Sequence, residues 1–481
     1  MRDPAAAAER EYDLVVVGGG IYGVCATLEA ARAGKRVLLL EKRDFGSGSS
    51  FNSLRILHGG LRYLQNLDLR RFRDSVGERR WFMANFPELC RPLSCLMPLY
   101  NRGLKRPGVF RMALAMNQVM SLDRNRGVPP EARLRNGAVL GVAATRAAFP
   151  AVDTEGLKGT AQWFDGLMLG SERLQMELHR WAAACGATQL NYVGATGVVV
   201  EDGKVTGVEA EDTASGQQYT FRSKRVLNCA GGWCREVAAA VDRDVPRLFP
   251  RSLAFNLVLD AEPVSASAVA VAPDRGRGTM YFLVPWHGGV HAGTCHLAWE
   301  GRDADDRTPP EEAIEGFLGD LNRAVPGWGL TRDRVRHVYA GQLPAAAAGE
   351  AEMSHVAPFH DHGNGCYSLA GHKYTTARLE AARALGKVFP GERLSPQQGM
   401  GRPTPSPTAG LCDLRELIGA GDVEQTLRRL ADEEAVVYLD DLTQRRLDGV
   451  GPADAVAALR AAAERVLAGC SETPTYSGGA A

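Results

Sequence analysis

The stretch YDLVVVGGGIYGVCATLEAARAGKRVLLLEK, residues 12–42, constrains the fold of this chain more than any other. Leu14 to Val17 form a short apolar run, typical of a strand that is buried on both faces of a parallel sheet. Gly18, Gly20 and Gly23 allow a tight turn, a close approach of backbone N–H groups to a pyrophosphate, and close packing of the following helix. The N-terminus of that helix presents positive charge to the phosphates. The pattern therefore predicts a dinucleotide-binding β–α–β unit.

An acidic residue after the second strand narrows the choice of dinucleotide. The apolar run Val37–Leu40 leads into Glu41, 18 residues after Gly23. A carboxylate at this position accepts hydrogen bonds from ribose hydroxyls and repels a 2′-phosphate. The sequence therefore disfavours NADP and leaves NAD and FAD.

Composition excludes several classes of protein. Lysine plus arginine and aspartate plus glutamate number 56 each over 481 residues, so no basic excess indicates nucleic-acid binding. No apolar run reaches the length of a membrane span. The ten cysteines include no CxxC pair or zinc-site spacing, which favours reduced cysteines in a cytoplasmic protein without a metal site. We expect residues 1–10 to be a disordered leader and residues 471–481 a flexible tail.

The rest of the chain divides into regions of different pattern. Asp202-Gly203 between apolar runs predicts a β-hairpin. Residues 245–345 are rich in strand-like runs and indicate an inserted sheet domain. From about residue 409 the sequence is charged and amphipathic, which predicts a small helical domain.

Two later segments decide between NAD and FAD. RVLNCAGGW, residues 225–233, and GCYSLAGHKYTTAR, residues 365–378, again run from strand through glycine towards a helix. A nicotinamide cofactor needs one such strand–glycine–helix segment, whereas a permanently bound FAD needs several segments along its length. A helix start near residue 372 would also stabilise negative charge on a reduced flavin. The sequence therefore predicts FAD.

These segments stand in the same order as motifs of a known family. Together with SLRILHGGLRYL (53–64), FDGLMLGSERL (164–174), LVPWHGGVHAGTCHLAWEG (283–301) and YAGQLPA (339–345), the chain resembles the FAD-dependent glycerol-3-phosphate dehydrogenases, in the D-amino-acid-oxidase-like superfamily. The resemblance implies an α/β fold: a Rossmann-like FAD-binding domain, an inserted and mostly antiparallel β-sheet substrate domain, and a small C-terminal helical domain. The expected ranges are 11–100, 150–240 and 350–400 for FAD binding, 101–149 and 241–349 for the substrate domain, and 405–470 for the helical domain.

The resemblance also implies roles for particular residues. Arg62 and Tyr63 match positions that line the substrate cavity, and Lys373 matches a lysine beside the flavin. The position of Arg62 between glycines and an apolar pair predicts a buried side chain. The catalytic candidates are Arg62, Tyr63, Lys373, His296 and His355. The cofactor-binding candidates are Gly18, Gly20, Ile21, Gly23, Glu41, Lys42, Ser49, Ser50, Arg55, His58, Gly59, Gly60, Ala230, Gly231, Trp233, Gly371, His372, Lys373, Tyr374 and Thr375.

The chain departs from the family pattern around the substrate. A family arginine falls at Leu343, and a second falls near His355, a weaker cation. The family's substrate-side histidine falls on or beside Leu257, next to Asn256. His296 and His372 stand where the family has other residues. The expected substrate is therefore glycerol 3-phosphate or a related polyol or glycerol-containing metabolite, oxidised by hydride transfer to the flavin.

Several alternatives stay open from the sequence. The chain would also suit a flavin-dependent amine or imino-acid oxidase of the same superfamily, or a flavoprotein that has lost catalysis. Residues 101–126 carry Val109, Met112, Ala113, Met116 and Met120 at helical spacing, which fits either a helix on a membrane surface or a packed helix. Quinone and oxygen both qualify as electron acceptor, and a homodimer is among the assemblies that the sequence allows.

Overall fold

The computed structural model describes residues 2–100, 103, 105–239, 241, 248–276, 278–299, 304–355, 357–406, 409, 417–418, 423–447 and 453–468. The strands are β1 Glu11–Tyr12, β2 Leu14–Val17, β3 Val37–Leu40, β4 Ile56–Leu57, β5 Cys90–Pro98, β6 Ala138–Leu140, β7 Thr160–Met168, β8 Thr188–Leu190, β9 Val193–Glu201, β10 Lys204–Asp212, β11 Gln218–Ser223, β12 Val226–Asn228, β13 Arg251–Leu259, β14 Ala268–Val271, β15 Tyr281–Trp286, β16 Gly289–Ala298, β17 Val335–Pro344, β18 Phe359–Asp361 and β19 Cys366–Leu369. The α-helices are α1 Pro4–Ala8, α2 Ile21–Arg32, α3 Leu69–Asn85, α4 Pro107–Met120, α5 Val142–Ala148, α6 Ser171–Ala184, α7 Cys234–Ala238, α8 Glu311–Ala324, α9 Ala377–Val388, α10 Val423–Glu433 and α11 Ala453–Ala468. Short 3₁₀ helices cover Leu61–Asn66, Pro130–Ala132, Gly231–Trp233 and Arg332–Arg334, and a π-helix covers Asp441–Arg446.

The six-stranded sheet β18-β19-β12-β2-β3-β8 carries the predicted β–α–β unit. Strands β2 and β3 have the bounds that the apolar runs predicted, and they pair in parallel. Leu14 and Val16 pack among α2, α6 and α9, whereas Val15 and Val17 pack against the four-stranded sheet β1-β11-β10-β9. Because both faces are buried, every residue of β2 is apolar.

The predicted hairpin lies in that four-stranded sheet. Strands β9 and β10 pair antiparallel, and Asp202 and Gly203 connect them with positive φ angles of 48° and 74°. Two positive φ angles are the requirement of the turn that matches the twist of a hairpin. The prediction from Asp-Gly is confirmed.

A second, mostly antiparallel sheet contains the strands of the region that the sequence predicts to be the substrate domain. Within the described residues it runs β17-β13-β16-β15-β14-β5-β7-β4, with β6 beside β7, and only β14 and β5 pair in parallel. Strands β5 and β7 come from ranges that the sequence assigned to FAD binding, and both lie in this sheet, while the domain boundaries themselves stay a prediction. Their long antiparallel pairing, from Cys90 opposite Met168 to Pro98 opposite Thr160, extends the substrate sheet instead. Such a choice of sheet depends on partners distant in sequence, which a local apolar pattern does not specify.

The prediction of a disordered leader was wrong for residues 2–8. Asp3 accepts a hydrogen bond from the N–H of Ala6 at 2.9 Å, and Pro4 begins α1, so the segment carries an ordinary helix start. The buried side chain of Ala7 packs in the core beside β11. Arg2 donates to the carbonyl of Asn191 at 2.8 Å, which joins the first residues to the fold.

The C-terminal region is helical, as expected. Helices α10 and α11 and the π-helix share a small apolar core that includes Leu427, Leu442 and Leu459. Buried ion pairs fasten this unit to the remainder of the chain: Arg446 Nη2 lies 3.0 Å from Asp44 Oδ1, and Arg173 Nη2 lies 2.6 Å from Glu434 Oε1. The expected tail, residues 471–481, lies outside the described residues.

Candidate active site

The glycine turn after β2 has the geometry that the sequence predicts. Gly18 has a φ of 105°, and its N–H donates to the carbonyl of Leu40 at 2.7 Å. A Cβ atom at Gly23 would lie 1.9 Å from the carbonyl oxygen of Gly18, so a side chain there would drive α2 away from the turn. Gly23 therefore sets the distance between helix and strand rather than contacting a ligand itself.

Glu41 closes the other side of this turn. Its carboxylate accepts hydrogen bonds from the N–H of Gly19 at 2.6 Å and from the N–H of Arg43 at 2.9 Å. Burial raises the pKa of Glu41, while these two backbone donors oppose that rise. Each carboxylate oxygen keeps one lone pair, which is what the two ribose hydroxyls of an adenosine require.

The loop at residues 46–53 wraps over the glycine turn. Ser50 Oγ accepts from the N–H of Ile21 at 2.9 Å, at the first residue of α2. From the opposite side, Ser49 Oγ donates to the carbonyl of Gln342 at 2.8 Å, and Arg307 donates to the carbonyl of Ser47 at 3.1 Å. The substrate domain thus holds the loop against the dinucleotide site.

A cavity of about 1290 Å³, its open mouth included, is lined by residues of both the six-stranded and the nine-stranded sheet regions. Fourteen of the twenty predicted cofactor-binding residues line it: Gly18, Gly20, Ile21, Glu41, Lys42, Ser49, Ser50, Ala230, Gly231, Trp233, Gly371, His372, Lys373 and Tyr374. The three glycine-fronted segments of the sequence therefore converge on one cavity.

Two features of the cavity walls indicate that the cavity binds a polar ligand. Ser53 Oγ and His372 Nδ1 belong to lining residues, and both atoms are buried without a hydrogen-bond partner. Gly231 has a φ of 57°, and a Cβ atom there would meet nothing within 4 Å, so the backbone borders open space. Buried polar atoms in proteins are normally paired, and a bound cofactor would supply the missing partners. The residues present fit FAD.

Six of the predicted cofactor residues lie outside the cavity lining, namely Gly23, Arg55, His58, Gly59, Gly60 and Thr375. Arg55 is buried in an ion pair with Glu172 at 2.8 Å and stacks on Trp286, so it joins the two domains. Sequence proximity to the loop did not reveal that the side chain turns into the protein core.

His58, Gly59 and Gly60 shape the turn that carries the substrate candidates. The N–H of His58 donates to Thr375 Oγ1 at 3.1 Å, and the N–H of Gly59 donates to Asp165 Oδ1 at 2.7 Å. Gly60 has a φ of 79° and begins the 3₁₀ helix that contains Arg62 and Tyr63. These residues act on the site through the position of that helix.

The same turn brings Tyr63 to Lys373, across 310 residues of sequence. Lys373 Nζ donates a hydrogen bond to the Tyr63 hydroxyl and also lies 4.7 Å from the centre of its ring. Burial, and secondly the charge of Arg62, lower the pKa of Lys373 to about 8. Tyr63, Lys373 and the charge of Arg62 therefore lie close together in the structure.

Arg62 itself is exposed, so the prediction of a buried side chain was wrong. In the described part of the chain it makes no hydrogen bond or ion pair, although its charge lowers the pKa of both Lys373 and His296. An arginine that is held near other cations and lacks a carboxylate partner favours an anionic ligand.

The remaining histidine candidates differ in their surroundings. His296 is largely buried and has a ring nitrogen, Nδ1, without a partner. His355 is exposed, and its Nε2 lies 3.6 Å from Glu352 Oε1. Leu343 lines the cavity where the family has an arginine, and Asn256 is buried with its amide bonded to Asn52 and Thr294.

Sequence reasoning missed several residues around the cavity. Arg43, Arg251 and Gln342 line it, and Gln175 Nε2 donates to the carbonyl of Gly19 at 2.6 Å. Arg43 follows the Glu41 signal directly and was within reach of motif reasoning. The others lie in segments without a phosphate-binding pattern, so only the packing of domains identifies them.

Comparisons with known proteins agree with this geometry. A sequence model of the family described as FAD dependent oxidoreductase matches residues 13–388. A glycerol-3-phosphate dehydrogenase from Synechocystis sp. is 31% identical over 400 residues, which are 79% of this chain and 70% of that protein. The structure of a Bacillus halodurans glycerol-3-phosphate dehydrogenase complexed with FAD superposes with a TM-score of 0.73 at 22% identity, covering 97% of this chain and 92% of the other. A glycine oxidase from Geobacillus kaustophilus superposes with a TM-score of 0.56 at 18% identity, covering 82% and 99%.

Proposed function

The chain belongs to the family of FAD dependent oxidoreductases, and from this premise we propose that it oxidises the secondary alcohol of glycerol 3-phosphate or a closely related phosphorylated polyol. The observation that carries the proposal is the unpaired guanidinium of Arg62 beside the Lys373–Tyr63 pair. The similarity to glycerol-3-phosphate dehydrogenases supports it.

The electrostatics of the cleft favour a substrate with negative charge. Arg62 and Lys373 influence one another, and neither makes an ion pair within the described residues. A phosphate placed between them would form charge-assisted hydrogen bonds and relieve the repulsion between the two cations. An uncharged polyol would leave that repulsion in place.

The residues of the chain have separable tasks in this reaction. Bound FAD supplies the acceptor for two electrons, and the residues that would hold it are the glycine turn, Glu41, the 46–53 loop and the Gly371–Tyr374 segment. Lys373 holds the Tyr63 hydroxyl and brings a positive charge to the cavity that would hold FAD. Arg62 would orient the phosphate and so place the alcohol carbon.

The experiment is reduction of the purified, FAD-loaded protein without oxygen. Glycerol 3-phosphate should bleach the flavin absorbance, and glycerol at the same concentration should not. Arg62→Ala should raise the substrate concentration needed for half-maximal reduction roughly 10- to 150-fold, because one charge-assisted contact contributes about 1.5–3 kcal/mol. Arg91→Ala, at an exposed arginine on β5, is the matched control and should behave as the wild type.

Two results would contradict the proposal. Bleaching by glycine or proline, with none by polyol phosphates, would make the protein an amine or imino-acid oxidase. If neither amines nor polyol phosphates bleach the flavin, although photoreduction does bleach it, the protein is a flavoprotein that does not catalyse alcohol oxidation.

We also propose that the protein contacts a membrane surface through α4, through Leu122 just after this helix, and through Leu67 just after the 3₁₀ helix Leu61–Asn66. A quinone in that membrane can accept electrons. Met112, Val119 and Leu122 are exposed to 69%, 67% and 78%, and Leu67 to 71%. Met116 packs inward, so the helix is partly core and partly surface. Within the part of the chain that the structure describes, no helix combines the length and the apolar character needed to cross a bilayer.

Sedimentation with liposomes tests this surface. The wild type should sediment with vesicles that contain anionic lipid, and the double variant Met112→Ser, Val119→Ser should stay in the supernatant. Turnover with a quinone analogue, compared with turnover in air, identifies the acceptor. Equal sedimentation of the wild type and the double variant would contradict membrane contact through α4.

A further inference from the structure

Two histidine rings near Arg62 have no hydrogen bonds that would explain them as parts of the fold. Nδ1 of His296 and Nδ1 of His372 are both buried and unpartnered. Nε2 of neither ring is in that state, so this nitrogen of each ring is accessible rather than buried. A histidine retained for structure normally has its buried nitrogen paired. These two rings are held by packing alone and are free to serve a ligand.

The strand register shows which wall of the cleft carries His296. His296 on β16 lies opposite Ala254 on β13, and Ala254 lies opposite Gly341 on β17. Residues opposite one another share a face of a sheet. A Cβ atom at Gly341 would lie 2.6 Å from Ser49 Oγ, in the loop that lines the FAD cavity. His296 therefore lies on the face of the substrate sheet that covers the cofactor domain.

His372 lies on the facing wall, in the Gly371–Tyr374 segment that lines the cavity. The two rings are close enough that His296 lowers the pKa of His372. A substrate held by Arg62 would lie near both rings, because the charge of Arg62 lowers the pKa of each. Since His372 lines the cavity that would hold FAD and His296 does not, His296 is the ring available to the substrate hydroxyl.

The charges around the pair keep both rings neutral before substrate binds. Burial first, and then His296, His355, Arg62 and Arg71, lower the pKa of His372 to about 4. Burial and the charge of Arg62 lower the pKa of His296. Lys373 follows His372 directly in the chain, and it donates a hydrogen bond to the Tyr63 hydroxyl on the 3₁₀ helix. A neutral imidazole has a free lone pair, which is what a proton acceptor needs.

We propose that His296 is the proton acceptor of the alcohol oxidation, and that the bound anionic group of the substrate activates it. This inference rests on the function proposed above. The hydroxyl proton passes to Nε2 of His296, the C–H electron pair leaves as hydride to the oxidised flavin, and the C–O bond becomes a carbonyl. The proton then leaves to solvent, which restores the neutral ring.

The activation follows from the charges. A phosphate beside Arg62 offsets the positive field that disfavours an imidazolium, so the proton affinity of His296 rises when the substrate binds. The acid limb of the pH profile of kcat reports the pKa of His296 in the enzyme–substrate complex, and the acid limb of kcat/KM reports its pKa in the free enzyme. The first limb should therefore lie at a higher pH than the second. An uncharged polyol would not produce this separation.

Rapid-mixing measurements of flavin reduction test the proposal on FAD-loaded protein. H296Q should lower the first-order reduction rate constant by glycerol 3-phosphate roughly 10²- to 10⁴-fold, with the substrate dissociation constant changed less than threefold. His296→Ala with added imidazole should recover part of the rate. His360→Gln, at an exposed histidine on β18, is the matched control and should keep the wild-type rate.

The outcomes separate this proposal from the previous one. If glycerol 3-phosphate does not reduce the wild type, the proposed function fails. If the wild type is reduced and H296Q is reduced at an equal rate, His296 is not the acceptor and the function stands. If H296Q fails to bind FAD, two other measurements test the proposal: the recovery of rate when imidazole is added to His296→Ala, and the separation of the acid limbs of kcat and kcat/KM in the wild type. The absence of both effects overturns the proposal.

Discussion

Replacement of Glu41 by glutamine is the most direct test of the dinucleotide site, because the two residues differ only in charge and in one acceptor atom. Both oxygens of Glu41 already accept from backbone N–H groups, at 2.6 Å from Gly19 and 2.9 Å from Arg43. The amide NH₂ of glutamine cannot accept, so one of these buried N–H groups loses its partner. That loss should lower the free energy of unfolding of the apoprotein by about 1–3 kcal/mol.

The effect on FAD is separate and additional. A ribose hydroxyl that donates to a carboxylate contributes about 1.5–3 kcal/mol, and the glutamine variant removes one such acceptor together with the charge. We therefore expect the dissociation constant of FAD to rise roughly 10- to 150-fold. Titration of FAD into apoprotein, followed by quenching of flavin fluorescence, measures this constant, and thermal unfolding of the apoprotein measures the first effect.

Glu201→Gln provides the same chemical change at an exposed position at the end of β9. It should leave both the unfolding temperature and the FAD dissociation constant unchanged. If Glu41→Gln binds FAD within twofold of the wild type, the carboxylate does not hold the ribose and our reasoning about the site is wrong.

Three further predictions address the turn, the lysine and the helical unit. Gly23→Ala places a Cβ atom 1.9 Å from a carbonyl oxygen of the glycine turn, so the purified protein should lack the flavin absorbance near 450 nm while Gly77→Ala, in open space on α3, retains it. The pKa of Lys373 is lowered to about 8, so its charge is present below that pH and lost above it; flavin reduction by an anionic substrate should fall above about pH 8, and Lys373→Arg, which stays charged, should abolish that limb. Asp44→Ala leaves the buried Arg446 without its main partner and should lower the free energy of unfolding by about 3–5 kcal/mol in urea titrations; a loss no larger than that of the exposed Asp440→Ala would contradict the importance of this pair.

The local parts of the cofactor site followed from the sequence. The run β2, glycine turn, α2, β3 and Glu41 occupies some thirty consecutive residues, and its chemistry depends on contacts within them. The hairpin at Asp202-Gly203 was predictable for the same reason, because the turn itself needs positive φ angles. Family resemblance extended the prediction to the segments around Gly231 and Lys373.

The prediction failed where a residue's role depends on distant partners. Arg55 stands in a cofactor-like motif and yet forms a buried ion pair with Glu172, 117 residues away. Arg62 is exposed although its neighbours in sequence suggested burial. The periodicity of apolar residues does not predict whether such a charged side chain points into the core or into solvent.

The sequence by itself determined that this chain binds a dinucleotide, because strand, glycines, helix and carboxylate lie within one short segment. Only the tertiary structure decided that β5 and β7 join the nine-stranded sheet, and that His296 and His372, 76 residues apart in sequence, lie close enough for one to lower the pKa of the other. The physical reason is that a strand or a side chain can pair with many segments that are distant in sequence. Burial and hydrogen bonding over the whole molecule determine which of these segments it contacts.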